Sequence, residues 1–289
     1  MNNFNMKRFG QVLKLDIYQN SRTYLNMAAG CFIAHLLSQL ACFYVAKLNL
    51  AVTVYSALAQ EHNQHSAMTA SLVVCCLITF FSFLLGASLL WNNLGTKEQR
   101  ITYLMLPATN LEKYLSRLLL CTVGMLGINA VAFFAADVLR MLAFCTSSMA
   151  MGFALPHYVD RFGEIFHNYA QMLHLAANTK DVSLLTVVNL NVWISTLLTY
   201  PATFMFGSVI FRRYAFIKTW LCLMVWGTIS STLMLNMAVS ENSFELLINN
   251  HGETFVWANL IWDVAWSCIF IWLSYYLFAK MNVIRRKLF

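Results

Sequence analysis

Three ionisable side chains lie inside long apolar stretches of this 289-residue chain: Asp137, Arg140 and Asp263. A charge in such a stretch costs about 2.5–3.5 kcal/mol on insertion scales and usually faces the interior of a helix bundle. Asp137 and Arg140 are three residues apart and share one helix face, and Asn259 lies one turn before Asp263. Two roles stay open. Arg140 pairs with Asp137 or Asp263 to fix packing, or these residues line the outer part of a transport path.

A second polar pattern repeats at helical steps farther along the chain. It consists of Thr186, Asn189, Trp193, Thr196 and Tyr200, which are spaced by three and four residues and therefore fall on one helix face. A lipid-facing stripe would leave several polar groups without hydrogen-bond partners. We expect this face to contact protein or a water-filled path.

A weaker polar group occurs in the first apolar stretch, at His35, Ser38, Gln39 and Cys42. A single histidine in such a stretch is interpreted first as a hydrogen-bonded packing residue and only second as a ligand or proton carrier.

The sequence lacks the signatures of common enzyme chemistry. The patterns G-x-x-x-x-G-K-[ST], H-E-x-x-H and G-x-S-x-G are all absent, so no P-loop for ATP and no common protease or hydrolase site is predicted. The eight cysteines show no metal-ligand spacing. We therefore predict no enzyme, no metal site and no cofactor on this chain.

Composition identifies the class of protein that must position these residues. Hydrophobic residues make up 60% of the chain and charged residues only 11%, with a mean hydropathy of +0.61. Soluble domains carry about 25% charged residues, and the apolar content excludes disorder. The chain is predicted to be an all-α, polytopic membrane protein, because each span must satisfy its own backbone hydrogen bonds in lipid.

Six stretches are long enough to cross a bilayer, which needs about 20 apolar residues per helix. These predicted spans cover about residues 24–46, 71–90, 118–145, 184–206, 220–239 and 256–279, and together they make up a transmembrane domain over residues 24–289.

Lys and Arg residues predict the orientation of the spans. Of the 19 basic residues, 15 fall in the two terminal segments and in the loops between spans 2 and 3 and between spans 4 and 5. Cytoplasmic segments carry the excess of Lys and Arg, so both termini are predicted to be cytoplasmic. The net charge of +7 reflects this topology. Nucleic-acid binding is not predicted, because the basic residues are dispersed.

Two amphipathic helices are predicted outside the spans. Residues 1–23 contain an N-terminal helix with basic residues on one face and apolar residues on the other, typical of a helix in the membrane interface. A second helix is predicted in the outer loop, over about residues 156–177.

The loop over residues 93–117 is the most informative segment. Thr109 followed by Glu112 is a capping-box pattern and predicts a helix start near Asn110. The preceding short amphipathic stretch is closed by Pro107, which biases Leu106 away from helix. A small helix, a sharp turn and a long helix entering the membrane are expected. On the residues alone, a docking element and a plain connecting loop are equally compatible with this pattern.

Six spans, cytoplasmic termini, an N-terminal amphipathic helix and this loop together resemble the permease subunits of ABC-2 type transporters. Members often carry a Leu-Pro-small-x-x-x-Glu-x-x-Lys/Arg pattern after span 2, and residues 106–113 are similar to it. The run from Arg100 to Arg117 looks like permeases of Bacteroidetes-type bacteria. One feature departs from the family pattern, because the larger outer loop here lies between spans 3 and 4 rather than 5 and 6.

The resemblance implies a permease subunit of an ATP-driven exporter in a bacterial inner membrane. It also implies a dimer with a second permease chain. A separate P-loop ATPase would bind the ATP and magnesium. The resemblance implies ATPase contacts at Lys97, Glu98, Arg100, Pro107, Glu112, Lys113 and Arg117. Two alternatives remain: a secondary, ion-coupled transporter, for which no internal repeat is evident, and a non-transport membrane scaffold or assembly factor.

Overall fold

A computed structural model describes residues 4–52, 57–91, 97–145, 152–178, 195–211, 214–239 and 243–280. Nearly all of these residues are helical, and no strand occurs among them, which confirms the all-α class. The helices are α1 (Met6–Gln19), α2 (Ser21–Val52), α3 (Ala57–Ser88), α4 (Lys97–Leu104), α5 (Asn110–Leu119), α6 (Met125–Phe144), α7 (Ala154–Asn178), α8 (Tyr200–Ile210), α9 (Ala215–Val239) and α10 (Ser243–Ala279).

Within the described residues, four helices are long and apolar enough to cross a membrane. They are Ser21–Leu48, Asn63–Ser88, Asn110–Phe144 and Ile261–Ala279, and they coincide with predicted spans 1, 2, 3 and 6. A shorter apolar helix, Leu197–Ile210, lies at the end of predicted span 4, and α9 overlaps predicted span 5. The chain therefore has the helices of a membrane protein, while the count of six spans and the orientation of the termini stay predictions.

The three prolines lie where a helix tolerates them. Pro107 lies in the turn between α4 and α5, Pro156 in the first turn of α7, and Pro201 at the start of α8. Proline has no N–H and its ring clashes with the carbonyl four residues earlier. The sequence predicts a kink at Pro201, and the structure has a π-helical turn, Ser195–Thr199, directly before α8, as expected where the regular helical ladder is interrupted.

The chain divides into two compact units. The first unit comprises Met1–Asp16, Leu84–Cys121 and Tyr169–Phe289. In it, α8 packs against α9 and α10, and α5 contacts α10. Aromatic pairs mark these contacts: Phe204 lies 5.2 Å from Phe216, and Phe206 lies 5.2 Å from Phe270, between ring centroids.

The second unit comprises Ile17–Phe83 and Thr122–Asn168, and its main contact is between α2 and α6. Its apolar core includes side chains from α2, α3, α6 and α7, namely Phe43, Ala46, Ala67, Met68, Leu72, Phe133, Phe144, Ala154 and Tyr158. Tyr158 also shares a hydrogen bond of 2.6 Å with Ser71, so the start of α7 is attached to α3. α7 covers the stretch for which the sequence predicts an outer amphipathic helix.

Close packing of α8 on α9 depends on Gly207. A Cβ atom at this position would overlap the buried Thr219 side chain, whereas a Cβ at Gly227 in α9 would meet nothing within 4 Å. We expect Gly207→Ala to destabilise the protein by about 1–3 kcal/mol through overpacking. Gly227→Ala should be neutral or stabilising by up to about 1 kcal/mol, from helix propensity. Thermal unfolding in one detergent measures both variants, and equal shifts would contradict the packing argument.

Candidate functional site

The loop after α3 is a helix–turn–helix that continues into a membrane-length helix. The Thr109 hydroxyl accepts a hydrogen bond from the Glu112 N–H at 3.2 Å, and the Glu112 carboxylate accepts one from the Thr109 N–H at 2.8 Å. This is the capping box predicted from the sequence. α5 continues through a π-helical turn at Leu120–Gly124 into α6, so the loop and the membrane helix form one element.

Glu112 also connects this loop to the N-terminal helix. Its side chain is fully buried and accepts hydrogen bonds from the Asn5 N–H at 2.7 Å and from Arg8 Nη2 at 3.1 Å. Charge-assisted hydrogen bonds of this kind are stronger than neutral ones. One carboxylate therefore caps α5 and holds the start of α1.

Asp16 makes the second connection between α1 and the loop. Its buried carboxylate accepts hydrogen bonds from the Ser116 hydroxyl and from the Tyr103 hydroxyl, the latter at 3.3 Å. Its Oδ1 lies 3.5 Å from Arg117 Nε. Because Tyr103 belongs to α4 and Ser116 to α5, this carboxylate holds three helices together.

Arg117 extends the network to the end of α3 and to aromatic rings. Its Nη1 donates to the Leu90 carbonyl at 2.9 Å, and its guanidinium lies 4.1 Å from the Tyr103 ring centroid and 5.0 Å from that of Trp91. Trp91 in turn stacks on Phe278 of α10 at 4.3 Å. The guanidinium thus makes one hydrogen bond to a carbonyl and lies close to one carboxylate and two aromatic faces.

Burial sets the protonation of two groups in this network. It raises the pKa of Asp16 above its ordinary value, against the attraction of Arg117 and the hydrogen bonds from Ser116 and Tyr103. It also raises the pKa of Tyr103 to about 12. The Tyr103 hydroxyl therefore keeps its proton and donates a hydrogen bond at neutral pH.

Six of the seven predicted contact residues fall into two groups. Glu112, Lys113 and Arg117 are buried by contacts within the chain, and Lys113 Nζ donates to the Leu104 carbonyl at 2.9 Å. Glu98 and Pro107 are exposed and Arg100 is half-buried, while the side chain of Lys97 lies outside the described residues. The first group lies inside the loop, and the second lies at its surface.

Asp137 and Arg140 form a fully buried ion pair in α6. Their side chains meet at 2.7 Å. Asp137 Oδ2 also accepts a hydrogen bond from the Ala154 N–H at 2.8 Å, and Arg140 Nη2 donates to the Gly152 carbonyl at 2.7 Å. The pair therefore holds the chain segment that begins α7. This geometry favours the packing role, with Asp137 as the partner of Arg140.

The remaining polar residues predicted in the spans are not brought together by the described structure. Tyr200 is 39% exposed, Asp263 is half-buried, and the Ser267 hydroxyl donates to the Asp263 carbonyl at 2.7 Å. Asn189 and Trp193 lie outside the described residues, as do the side chains of Thr196 and Asn259. The stripe and the path lining stay predictions.

Sequence reasoning did not single out Asp16, Asn5, Arg8 or Tyr103. One signal was available, because Asp16 is the only acidic residue among the first 60. It lies one helical turn after Val12, on the face of α1 that is buried. A lone carboxylate on the apolar side of a basic helix requires a partner inside the protein.

Comparison with known proteins adds no family to this description. No protein-family model, curated protein or solved structure matches the chain.

Asp16 gives the loop network a defined pH dependence. A carboxyl group whose pKa is raised on folding stabilises the fold most below its ordinary pKa, and this contribution is lost as pH rises through the raised value. The stability of the native chain relative to Asp16→Asn should therefore fall as pH rises from about 4, by at most about 1.4 kcal/mol per pH unit. Thermal melts across pH 3.5–8 test this, with Asp160→Asn, at an exposed position of α7, as the control. A relative stability that instead rises with pH would show that Arg117 outweighs burial.

The ion pair in α6 is expected to behave as a coupled unit. Removing one partner of a buried pair costs about 3–5 kcal/mol, because the other charge is left uncompensated. Asp137→Asn and Arg140→Gln should each destabilise strongly, and the double variant should lose less than the sum of the two. Strict additivity in thermal unfolding would contradict a direct pair.

Proposed function

We propose that this chain is the transmembrane permease subunit of an ATP-driven ABC-type transporter, coupled to a separate ATPase subunit through the loop over residues 93–117, between predicted spans 2 and 3. The observation that supports this function is the construction of the loop. Buried carboxylates join it to α1, and it continues without a break into a membrane-length helix. A plain connecting loop needs neither feature.

The proposed mechanism is mechanical. Closure of two ATPase subunits on ATP displaces the loop from the cytoplasmic side. α5 and α6 follow because they are one helix, and α1 follows because Glu112 and Asp16 hold it to the loop. Alternation between inward-open and outward-open states then moves the substrate. Packed elements transmit such displacements because they shift between discrete arrangements.

The proposed ATPase contact uses the exposed surface of the loop. Glu98 and Pro107 are exposed, and Met105 is 75% exposed. An exposed Met suits a protein partner, since interface cores are enriched in Met. Glu112, Lys113 and Arg117 contribute by fixing the shape of this surface.

The wider assignment rests on the resemblance and on the predicted topology. The chain is proposed to lie in a bacterial inner membrane with both termini in the cytoplasm, to pair with a second permease chain, and to export its substrate. The ATP and magnesium belong to the partner ATPase. An ion-coupled transporter and a membrane scaffold are the alternatives that the following experiment separates.

The decisive experiment is purification of the tagged chain from its native host in mild detergent. We expect a P-loop ATPase to co-purify in stoichiometric amount. Glu98→Lys should weaken its retention about tenfold, which corresponds to about 1.4 kcal/mol, because the reversed charge lies on the contact surface. Asp160→Lys, the same change at an exposed position on the predicted outer side, should leave retention unchanged.

The controls separate the outcomes. Circular dichroism and gel filtration of both variants verify folding, since Glu98 and Asp160 are exposed. A chain that purifies without any ATPase contradicts the ABC assignment. Equal loss in both variants contradicts the assignment of the contact to the loop.

A further inference from the structure

Arg161 of α7 makes one contact within its own helix and one with α3, both in the second unit. Its Nη1 lies 2.7 Å from Glu164 Oε2, which forms an ion pair one turn farther along α7. Its Nη2 lies 2.7 Å from Nδ1 of His65 in α3. His65 lies before predicted span 2 and is exposed, and 32% of the Arg161 side chain is exposed. The contact therefore joins two helices at a place that water reaches.

The hydrogen-bonding capacity of Arg161 fixes the charge of His65 in this contact. A guanidinium carries donors and no acceptor, so Arg161 donates and His65 Nδ1 accepts. An imidazole nitrogen accepts a hydrogen bond only while it carries no proton, and the contact therefore requires a neutral His65. Protonation of His65 removes the acceptor and places two cations side by side, while the ion pair of Arg161 with Glu164 remains.

A second imidazole lies at the same contact. The ring centroid of His157, near the start of α7, lies 4.8 Å from that of His65. Burial lowers the pKa of His157, and positive charge on His65 and Arg161 lowers it further. The carboxylates of Asp160 and Glu164 oppose this shift of the pKa without reversing it. Protonated His157 would add a third cation to the contact.

Other charged groups near this contact come from α6 and from the part of α3 before the histidine. In α6, Asp137 and Arg140 are paired with each other and act on Tyr158. In α3, Glu61 and His62 lie one turn before the histidine in the sequence, and their side chains lie outside the described residues. Among the described side chains, the acceptor that joins Arg161 to α3 is thus an imidazole.

We propose that His65, His157 and Arg161 form an acid-sensitive latch between α3 and α7. At neutral pH, Arg161 bridges Glu164 and His65 and holds α7 on α3. Histidine changes charge between pH 5 and 8, so on acidification both imidazoles take up protons and the bridge to α3 opens. The hydrogen bond between Ser71 and the tyrosine at the start of α7 joins two hydroxyl groups. It persists at either pH, and the release is confined to α7 from Arg161 onward.

The latch is independent of the proposed coupling to an ATPase, because it lies outside the loop over residues 93–117. α7 covers the stretch predicted to lie in the outer loop, so the latch would respond to the pH outside the cell.

The test is hydrogen–deuterium exchange of the full chain in lipid nanodiscs at pH 5 and pH 7.5, followed by mass spectrometry. Exchange times are scaled for the intrinsic pH dependence of amide exchange, so the remaining difference reports local opening of the helix. We expect peptides of α7 after Arg161 to lose protection at pH 5 by about two- to tenfold, the equivalent of one hydrogen bond. Peptides of α6 are the internal reference and should keep their protection.

Two variants assign this effect to the latch. In the double variant, His65→Gln keeps a neutral acceptor for Arg161 and His157→Gln removes the second imidazole. Its α7 peptides should therefore exchange alike at both pH values. His167→Gln is the matched control, because it removes a histidine at an exposed position of the same helix, and it should keep the native pH dependence. Thermal melts at pH 7.5 verify that both variants fold.

Equal protection of α7 at both pH values in the native chain overturns the proposal. Stronger protection at pH 5 overturns it as well, because Glu164 would then pair with protonated His65 and hold the helices together. An undiminished loss of protection in the double variant, or a loss of the pH response in His167→Gln, would place the acid response outside these residues and overturn the latch.

Discussion

The Asp16 carboxylate is the contact on which the organisation of the loop depends. Its Oδ2 accepts hydrogen bonds from the Ser116 and Tyr103 hydroxyls, and its charge offsets that of Arg117. With Arg117 held in this way, its guanidinium can also bond the Leu90 carbonyl at the end of α3. A buried charge without such partners would be far more costly than the hydrogen bonds it replaces. Each of α1, α4 and α5 is thus held in place by its contacts with the other two.

The second unit also compensates a buried charge, but with a different geometry. Asp137 and Arg140 pair within a single helix and use their remaining hydrogen-bonding capacity on the backbone of Gly152 and Ala154. Phe43 of α2 lies under the guanidinium, 4.6 Å from it. In both units a carboxylate and an arginine compensate each other and then attach a neighbouring segment. Charges in an apolar chain act here as attachment points, because only the matching partner can satisfy them.

Interactions between residues close in sequence could be predicted from the sequence, and those between distant residues could not. The capping box of Thr109 and Glu112 is local, so spacing alone predicts it. The membrane-length helices follow from composition within each segment. The bond from Glu112 to Asn5 joins residues 107 positions apart, and no periodicity or propensity encodes that distance. Asp137 was a possible partner of Arg140 from helical spacing, but the choice between it and Asp263 required the structure.

This difference in range also explains why the sequence pattern marks other residues of the loop than those that lie at its surface. A sequence pattern marks Glu112, Lys113 and Arg117 without stating whether they face inward or outward. Their burial shows that a preserved pattern at these positions would maintain the shape of the loop. The surface that a partner can reach consists of other residues, such as Glu98 and Met105. In the coupling proposed above, these buried charges would act without touching the partner, because they fix the shape of the loop.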